Sequence, residues 1–286
     1  MGELALAVLV GVLAVRLTWL AARPWFSQPI LLRPNYRDRE IPVAVGVVLP
    51  LALFLVEAGR SVVDAVGAGD DAINLARLLT LVTVTGFCLL GAIDDVAGSG
   101  EHRGFKGHVL ALLAGRVTTG LFKLLGGAAV ALVAVSPIAL AASDGTIGRL
   151  LADAALVALC ANLGNLFDRG PGRAIKVSLV AFAVLVLAAG ADESLSAVAV
   201  VAGAAAGLLV DDLREHFMLG DAGANALGAA LGLGVVLAAS PGTRNLVLVA
   251  VAVLNVLGEV VSFSRVIDAV APLRAFDRVG RLPPGR

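Results

Sequence analysis

The chain has 286 residues, of which 59% are hydrophobic and 15% are charged, and its formal net charge is zero. A soluble globular domain averages about a quarter charged residues, so this composition, with a mean hydropathy of +0.94, indicates a polytopic membrane protein. The absence of net charge gives no electrostatic basis for a nucleic-acid partner. Cys88 and Cys160 both lie within apolar stretches, where they are expected to be core residues and not a disulfide framework.

About nine apolar stretches follow one another along the chain, most of them near the ~20 residues that a helix needs to cross a bilayer. We therefore expect an all-α integral membrane bundle of about nine transmembrane helices in residues 1–264, followed by a cytoplasmic tail at 265–286. The shortest stretch is the sixth. The predicted helices are Leu4–Ala22, Pro42–Ala58, Leu75–Ile93, Leu124–Ala142, Gly148–Asn165, Val177–Gly190, Leu195–Val210, Ala222–Ala239 and Leu246–Phe263.

Basic residues are distributed unevenly between the loops. The segments after the first, third, fifth, seventh and ninth helices carry 17 of the 22 Lys and Arg residues, and the opposite loops are mostly acidic. The positive-inside rule places the basic loops in the cytoplasm. With nine helices in the cell membrane, the N-terminus is then outside the cell and the C-terminus is in the cytoplasm. The same assignment brings several acids and amides to the cytoplasmic face: Asn162, Asn165, Asp94, Asp95, Asp168, Asp211, Asp212 and Asp221.

Two adjacent carboxylates, Asp94 and Asp95, end the third apolar stretch. Mg²⁺ is bound in proteins by one or two carboxylates and leaves its other positions to water and phosphate oxygens. Paired acids at a membrane surface, followed by basic residues, therefore suit Mg²⁺ and a phosphorylated substrate, while a solvated helix end is the alternative. The pair Asp211 and Asp212 ends the seventh stretch similarly, and there a solvated loop is favoured slightly over a second metal site.

A second polar stretch closes the fifth predicted helix. Asn162, Asn165 and Asp168 repeat every three residues and would share one helical face. A Gly-Pro-Gly turn follows, and then Arg173 and Lys176. Amide, carboxylate and cation together suit a nucleoside or sugar with its phosphates, and a polar helix end with a turn is the alternative.

A third stretch opens the eighth helix, where Gly220 and Gly223 flank Asp221. Small residues let the backbone approach a ligand, and a helix N-terminus favours anions such as phosphate. The alternative is that Asp221 simply caps its helix between ordinary glycines.

Together these motifs resemble the polyprenyl-phosphate N-acetylhexosamine-1-phosphate transferases, the MraY/WecA superfamily (glycosyltransferase family 4), from about Arg33 to Phe263. The segment Glu40–Gly46 is similar to that family's Pro-Thr-Met-Gly-Gly loop, and Asp94-Asp95 to its paired aspartates. Residues 162–168 match Asn-x-x-Asn-x-x-Asp, and residues 218–223 match the metal-binding Met-Gly-Asp-x-Gly loop.

The resemblance implies a membrane enzyme of cell-wall biogenesis that uses Mg²⁺ to move a sugar-1-phosphate from a UDP-sugar to a polyprenyl phosphate. It implies catalytic roles for Asp94 and Asp95, and metal ligation by Asp221 with Asp94. Substrate contacts would come from Asn162, Asn165, Asp168, Arg173, Lys176, Lys106, Lys123, Gly220 and Gly223. The expected partners are the lipid phosphate, the nucleotide sugar and the membrane, with a homodimer left open.

The chain also departs from the family's pattern. Pro171 stands where a second Asp of the Asp-Gly-x-Asp-Gly-Leu stretch is expected, Met218 replaces the aromatic residue that would stack on uracil, and the tail has neither the usual histidines nor a tenth span. Two other functions therefore remain open: a non-catalytic relative that binds a polyprenyl phosphate or an envelope-assembly partner, and, less favoured, a transporter with a polar site inside the membrane.

Overall fold

A computed structural model describes residues 1–69, 73–98, 119–141 and 146–283, and this part of the chain is mostly helical. Within these ranges, eleven α-helices are joined by short 3₁₀ turns and one small β-hairpin. The helices are α1 Gly2–Ala22, α2 Val48–Ala65, α3 Leu75–Ala97, α4 Thr119–Ala141, α5 Ile147–Phe167, α6 Arg173–Ala188, α7 Ser196–Leu213, α8 Gly220–Ala238, α9 Pro241–Val260, α10 Phe263–Ala269 and α11 Ala271–Arg278.

The expected all-α membrane bundle is confirmed. Within the described ranges, eight helices are long and apolar enough to cross a membrane: α1 to α5 and α7 to α9. The remaining long helix, α6, has 16 residues and is about 24 Å long at 1.5 Å per residue. Its first turn contacts the end of α7 through Gly172 and Asp212, and its last turns lie beside Gly234 near the far end of α8. Helix α6 therefore runs through the bundle like its longer neighbours.

The nine long helices alternate in direction. Contacts at one end of the bundle join the C-terminal ends of odd-numbered helices to the N-terminal ends of even-numbered ones, as in the hydrogen bond from the Asp221 amide of α8 to Asp95 of α3. Helix α9 ends at this face too, because Gly258 lies against Leu166 of α5 and Phe263 stacks on Phe167. We call this end of the bundle the cleft face.

The second helix begins later than its hydropathy indicates. Instead of a helix from Pro42, the chain forms the strands β1 (Leu32–Pro34) and β2 (Glu40–Pro42), which pair antiparallel, and then a 3₁₀ turn at Val45–Val47. The backbone of this segment contacts the loop before α8, since the Met218 amide donates to the Pro42 carbonyl and the Gly46 amide to the Leu219 carbonyl. These contacts draw residues 42–47 out of the helix and across the cleft face.

Helix α8 is the centre of the bundle. It is rich in Gly and Ala. In its most apolar stretch of 18 residues 72% is buried, compared with 11% in the corresponding stretch of α9. A β-carbon on Gly91 of α3 would lie 2.3 Å from the Asp221 carbonyl oxygen, and one on Gly164 of α5 would lie 2.3 Å from that of Ala224. Small residues thus let α3 and α5 pack backbone to backbone against α8, which is a common way for membrane helices to associate.

A second close contact joins α1 to α7. A β-carbon on Gly203 would lie 2.0 Å from the carbonyl oxygen of Val8, and one on Gly11 would lie 2.1 Å from that of Val200. Because both obstacles are backbone atoms, neither can rotate away. The two helices can keep this separation only while both positions are glycine.

Gly203→Ala should therefore separate α1 from α7 and destabilise the fold by about 1–3 kcal/mol, as overpacking commonly does. Gly59→Ala on α2 is the matched control, because a β-carbon there meets nothing within 4 Å. It should be neutral or slightly stabilising. Thermal unfolding in detergent would compare them, and equal melting temperatures for the two variants would contradict the close packing.

The C-terminal segment, which was predicted as a cytoplasmic tail at 265–286, is docked on the bundle in the part that the structure describes. The Asp277 carboxylate of α11 is buried and accepts from Arg173 at 2.7 and 3.1 Å and from Arg281 at 2.6 Å. Burial acts to raise its pKa, but the two guanidinium groups hold the pKa of Asp277 below its ordinary value. The ionised Asp277 thereby ties α11 to the start of α6.

The predicted substrate contacts of Arg173 and Lys176 are therefore corrected. Arg173 also donates to the Ser264 hydroxyl at 2.7 Å, and the Lys176 ammonium donates to the carbonyls of Phe276, Asp277 and Val279. The carbonyls in the last turn of a helix lack partners within the helix. By donating to them, Lys176 holds the end of α11. Both cations are occupied by the C-terminal segment, which the sequence pattern did not indicate.

Asp277→Asn should loosen this segment. Removing one partner of a buried pair commonly costs about 3–5 kcal/mol, because it leaves the Arg173 charge buried without its counter-ion. Trypsin should then cleave after Arg274 or Arg278 at least tenfold faster. Asp268→Asn is the matched control, because Asp268 is exposed and lies 3.8 Å from Arg278 in a solvated pair. Equal cleavage rates in the two variants would show that Asp277 does not hold the tail.

Candidate functional site

A cleft of about 300 Å³ opens at the cleft face, where the hairpin, the ends of α3, α5 and α7, and the start of α8 meet. Its polar lining is mainly acidic, and its apolar floor comes from the hairpin and from the loop before α8. The acids that line it are Asp95, Asp168, Asp212, Glu215 and Asp221. Of the acids that the sequence groups at one face, Asp95, Asp168, Asp212 and Asp221 therefore share this cleft, and Asp94 reaches its edge through Lys123, which it shares with Asp221.

Asp95 caps the N-terminus of α8. Its carboxylate oxygens accept from the backbone amides of Asp221 at 2.9 Å and Ala222 at 3.0 Å. The first amides of a helix have no partner within the helix, and a negative charge there is favourable. Both oxygens of Asp95 are thus engaged in positioning α8, and the catalytic role that the resemblance implies for Asp95 stays a prediction.

Two glycines make this arrangement possible. Gly220 has a φ of +74°, and a β-carbon on it would lie 2.5 Å from an oxygen of Asp95. A β-carbon on Gly46 would lie 2.1 Å from the Gly223 amide nitrogen, so these two residues bring the 3₁₀ turn against α8. Gly220 and Gly223 thus allow the backbone packing that shapes the site, and Gly220 also lines the cleft, while their contact with substrate stays a prediction.

Asp94 and Asp221 share one cation. The Lys123 ammonium of α4 pairs closely with Asp221 and lies 3.6 Å from Asp94 Oδ2. All three side chains are partly exposed, at 20–26%. The structure thus brings together Asp94, Asp221 and Lys123, as the resemblance implied, whereas Lys106 lies outside the described residues.

Asp168 lies at the end of α5 and lines the same cleft. Burial, and then the neighbouring carboxylates of Asp212 and Asp221, raise the pKa of Asp168 well above its ordinary value. Arg169 beside it is the basic residue among the described side chains that line the cleft. The acids outnumber this cation, so the cleft favours a bound positive charge.

The two asparagines of α5 have separate environments. Asn162 donates to the Asn255 amide oxygen of α9 at 2.6 Å, which makes it a contact between helices. The amide nitrogen of Asn165 is buried and has no hydrogen-bond partner among the described residues, and the same holds for both polar side-chain atoms of Asn225, one turn after Asp221. Since Asn162 does not line the cleft in the described part of the chain, its expected contact with substrate is not what the structure gives it.

The two acids after α7 also differ. Asp211 pairs with Arg16 of α1 and with His216, outside the cleft lining. Asp212 is buried, lines the cleft and accepts from the Gly172 amide at 3.1 Å. The solvated loop that was slightly favoured is therefore wrong for Asp212, because the Gly-Pro-Gly turn folds over its side chain.

The opposite wall of the cleft was missed at the sequence level. Glu215 is buried and accepts from the amide of Asn35 at 3.0 Å and the hydroxyl of Tyr36 at 2.7 Å, and it pairs with Arg37 at 2.9 Å. These residues belong to the hairpin turn and lie about 180 positions from Glu215 in sequence. No motif connects them, although the cluster of three arginines at positions 33, 37 and 39 marks the turn as polar.

The residues present fit Mg²⁺ bound together with a phosphorylated ligand. Among the described side chains, no group of three or more His, Cys, Asp or Glu could hold a metal on its own. Asp94 and Asp221 nevertheless converge on one positive charge, that of Lys123. Mg²⁺ commonly takes one or two carboxylates and completes its shell with water and phosphate oxygens, which is the donor set available here.

Comparison with known proteins adds no assignment. No protein-family model matches the chain, and no curated protein matches it either. The functional interpretation therefore depends on the motifs in the sequence and on the geometry of the cleft.

Proposed function

We propose that the chain transfers a sugar-1-phosphate from a UDP-sugar to a polyprenyl phosphate at the cytoplasmic face of the cell membrane, in the synthesis of a cell-envelope glycan. The observation that carries the proposal is the pairing of Asp94 and Asp221 around the Lys123 ammonium at the edge of an acidic cleft. Carboxylates and a lysine at one point are the groups that bind a divalent metal and a phosphate together.

In this reaction an oxygen of the lipid phosphate attacks the sugar-bearing phosphorus of the donor. The new P–O bond forms as the diphosphate bond to UMP breaks, so the products are UMP and a lipid diphosphate that carries the sugar. Mg²⁺, when bound, would supply positive charge to the diphosphate and the leaving UMP. Asp94 and Asp221 would hold it.

The other residues of the site have distinct roles. Asp95 keeps α8 in place, and Lys123 offers a fixed positive charge to a phosphate at the same point. Asp94, which has no backbone amide to hold among the contacts described, is the member of the pair available to accept a proton from the lipid phosphate. Asp168 and Asp212 line the cleft beyond the metal residues, where the nucleotide sugar would lie.

A non-catalytic lipid-phosphate binder is the second candidate. Two observations favour it: the Lys123 ammonium offsets part of the charge of Asp94 and Asp221, and Arg173 and Lys176 are occupied by the C-terminal segment. A binder needs only the cleft and a positive charge, whereas the transferase needs a metal that displaces or joins Lys123. The acids that line the cleft lie at one end of the bundle, which argues against a transporter, because a transporter places its site near the middle of the membrane.

Asp221→Asn should abolish most transfer while the fold is kept. The amide lacks the negative charge that holds the metal, and metal stabilisation of developing charge is worth several kcal/mol, so turnover should fall by about 10²–10³ at roughly 1.4 kcal/mol per tenfold change. Purified protein would be incubated with polyprenyl phosphate and a panel of labelled UDP-sugars, with and without Mg²⁺.

Asp211→Asn is the matched control, because Asp211 lies at the same face but pairs with Arg16 and His216 outside the cleft lining. It should retain nearly full transfer. If the wild type transfers label from no UDP-sugar, while it still binds polyprenyl phosphate and Lys123→Ala abolishes that binding, the binder takes the place of the transferase.

The orientation is tested separately by cysteine labelling in intact cells. With the cleft face in the cytoplasm, a cysteine at Asp70 should react with a membrane-impermeant maleimide, and a cysteine at Arg278 should react only after the cells are opened. The native Cys88 and Cys160 lie within α3 and α5, and the unmodified chain provides the blank. The reverse labelling pattern would place the cleft outside the cell and would exclude a cytoplasmic UDP-sugar donor.

A further inference from the structure

Exposed apolar side chains continue from the last spanning helix into the docked C-terminal segment. Helix α9 is the least buried of the eight long apolar helices within the described ranges, and Val256 and Val260 near its end are 66% and 79% exposed. Two residues separate it from α10. Beyond this link, side chains at intervals of three or four residues remain exposed: Val266, Val270, Leu273 and Phe276.

The two sides of α11 differ in chemistry. Asp277 is 4% exposed and turns into the bundle, whereas Leu273 and Phe276 are 45% and 44% exposed. In water, exposed apolar side chains such as these are unfavourable, because removing apolar surface from water lowers the free energy. A helix that lies in the membrane surface keeps an apolar side and a polar side in this way.

The charges along this segment match an anionic surface. Arg265 and Arg278 are exposed, Arg274 is half-buried, and Asp268 is the one exposed acid among residues 263–279. Basic residues beside a spanning helix are attracted to anionic lipids. The segment also follows α9 directly, so it emerges at the membrane surface and has a lipid leaflet as its neighbour.

We propose that α10 and α11 lie in the headgroup region of the leaflet at the cleft face, with an anionic lipid surface as their partner. Leu273 and Phe276 enter the apolar edge of the leaflet, the arginines contact the headgroups, and Asp277, one turn after Leu273, holds the adjoining side of α11 to α6. This proposal does not depend on the transferase activity, because it applies equally to a chain that only binds lipid phosphate.

The same segment contacts both walls of the cleft. Arg281 donates to the Pro171 carbonyl at 2.9 Å, on the turn that covers Asp212, and Arg37 of the hairpin donates to the Leu282 carbonyl at 3.2 Å. Seating in the leaflet would therefore fix the cleft relative to the membrane surface. The cleft would then lie at the level of the lipid phosphate groups in the leaflet.

The test is the membrane depth of spin labels in the full chain, reconstituted in nanodiscs that contain phosphatidylglycerol. Labels at Leu273→Cys and Phe276→Cys should collide more with oxygen than with a water-soluble nickel complex, at depths of roughly 5–10 Å below the headgroups. Ala271→Cys is the matched control, since Ala271 is exposed and lies about half a turn from the Leu273 and Phe276 side of the helix. Its label should collide more with nickel.

Lipid charge provides the second comparison. In phosphatidylcholine nanodiscs, or with Arg274→Gln and Arg278→Gln in phosphatidylglycerol, the label at position 276 should become more accessible to nickel. Equal nickel access at positions 271 and 276 in phosphatidylglycerol would overturn the proposal. So would shielding from both reagents accompanied by spin–spin coupling, because that result would mean that a second copy of the chain covers this side of α11.

Discussion

The bond between the Asp95 carboxylate and the first amides of α8 is the contact on which the site depends. It joins the end of α3 to the start of the most buried helix of the bundle and places two opposed charges, the carboxylate and the helix N-terminus, in contact. Successive residues of a helix point about 100° apart. When Asp95 turns to α8, Asp94 is therefore directed to the neighbouring side, where it shares Lys123 with Asp221.

This contact requires backbones to approach more closely than side chains allow. Gly220 leaves room for the Asp95 carboxylate, Gly91 lets α3 touch the Asp221 backbone, and Gly46 meets Gly223. In a soluble protein a run such as that of α8 would be a poor helix, because glycine costs about 1 kcal/mol relative to alanine. In a membrane bundle it is useful, since association depends on close packing and not on water exclusion. The motif glycines thus shape the site through the close backbone contacts that they allow.

The spanning helices and the face that holds the acids could be predicted from hydropathy and loop charge, because both are local properties of the chain. Residues that act through distant partners could not. Arg173 and Lys176 follow a polar motif, yet Asp277 and the carbonyls of α11, about 100 positions away, determine what they bind. Asp212 and Glu215 likewise acquired their roles from the Gly172 turn and from the hairpin. Hydropathy predicts that a helix starts at Pro42, but the Pro42 carbonyl accepts a hydrogen bond from the distant Met218 amide.

The distribution of cations determines which chemistry the cleft can support. A site that binds diphosphate with arginine and lysine alone would need several of them at its lining. Here Arg173, Lys176 and Arg281 are held by the C-terminal segment, and the described lining of the cleft carries five acids and Arg169. Lys123 at the edge of the cleft is already paired with Asp94 and Asp221. In the transfer that we propose, a diphosphate would therefore enter with its own divalent cation, which Asp94 and Asp221 would receive.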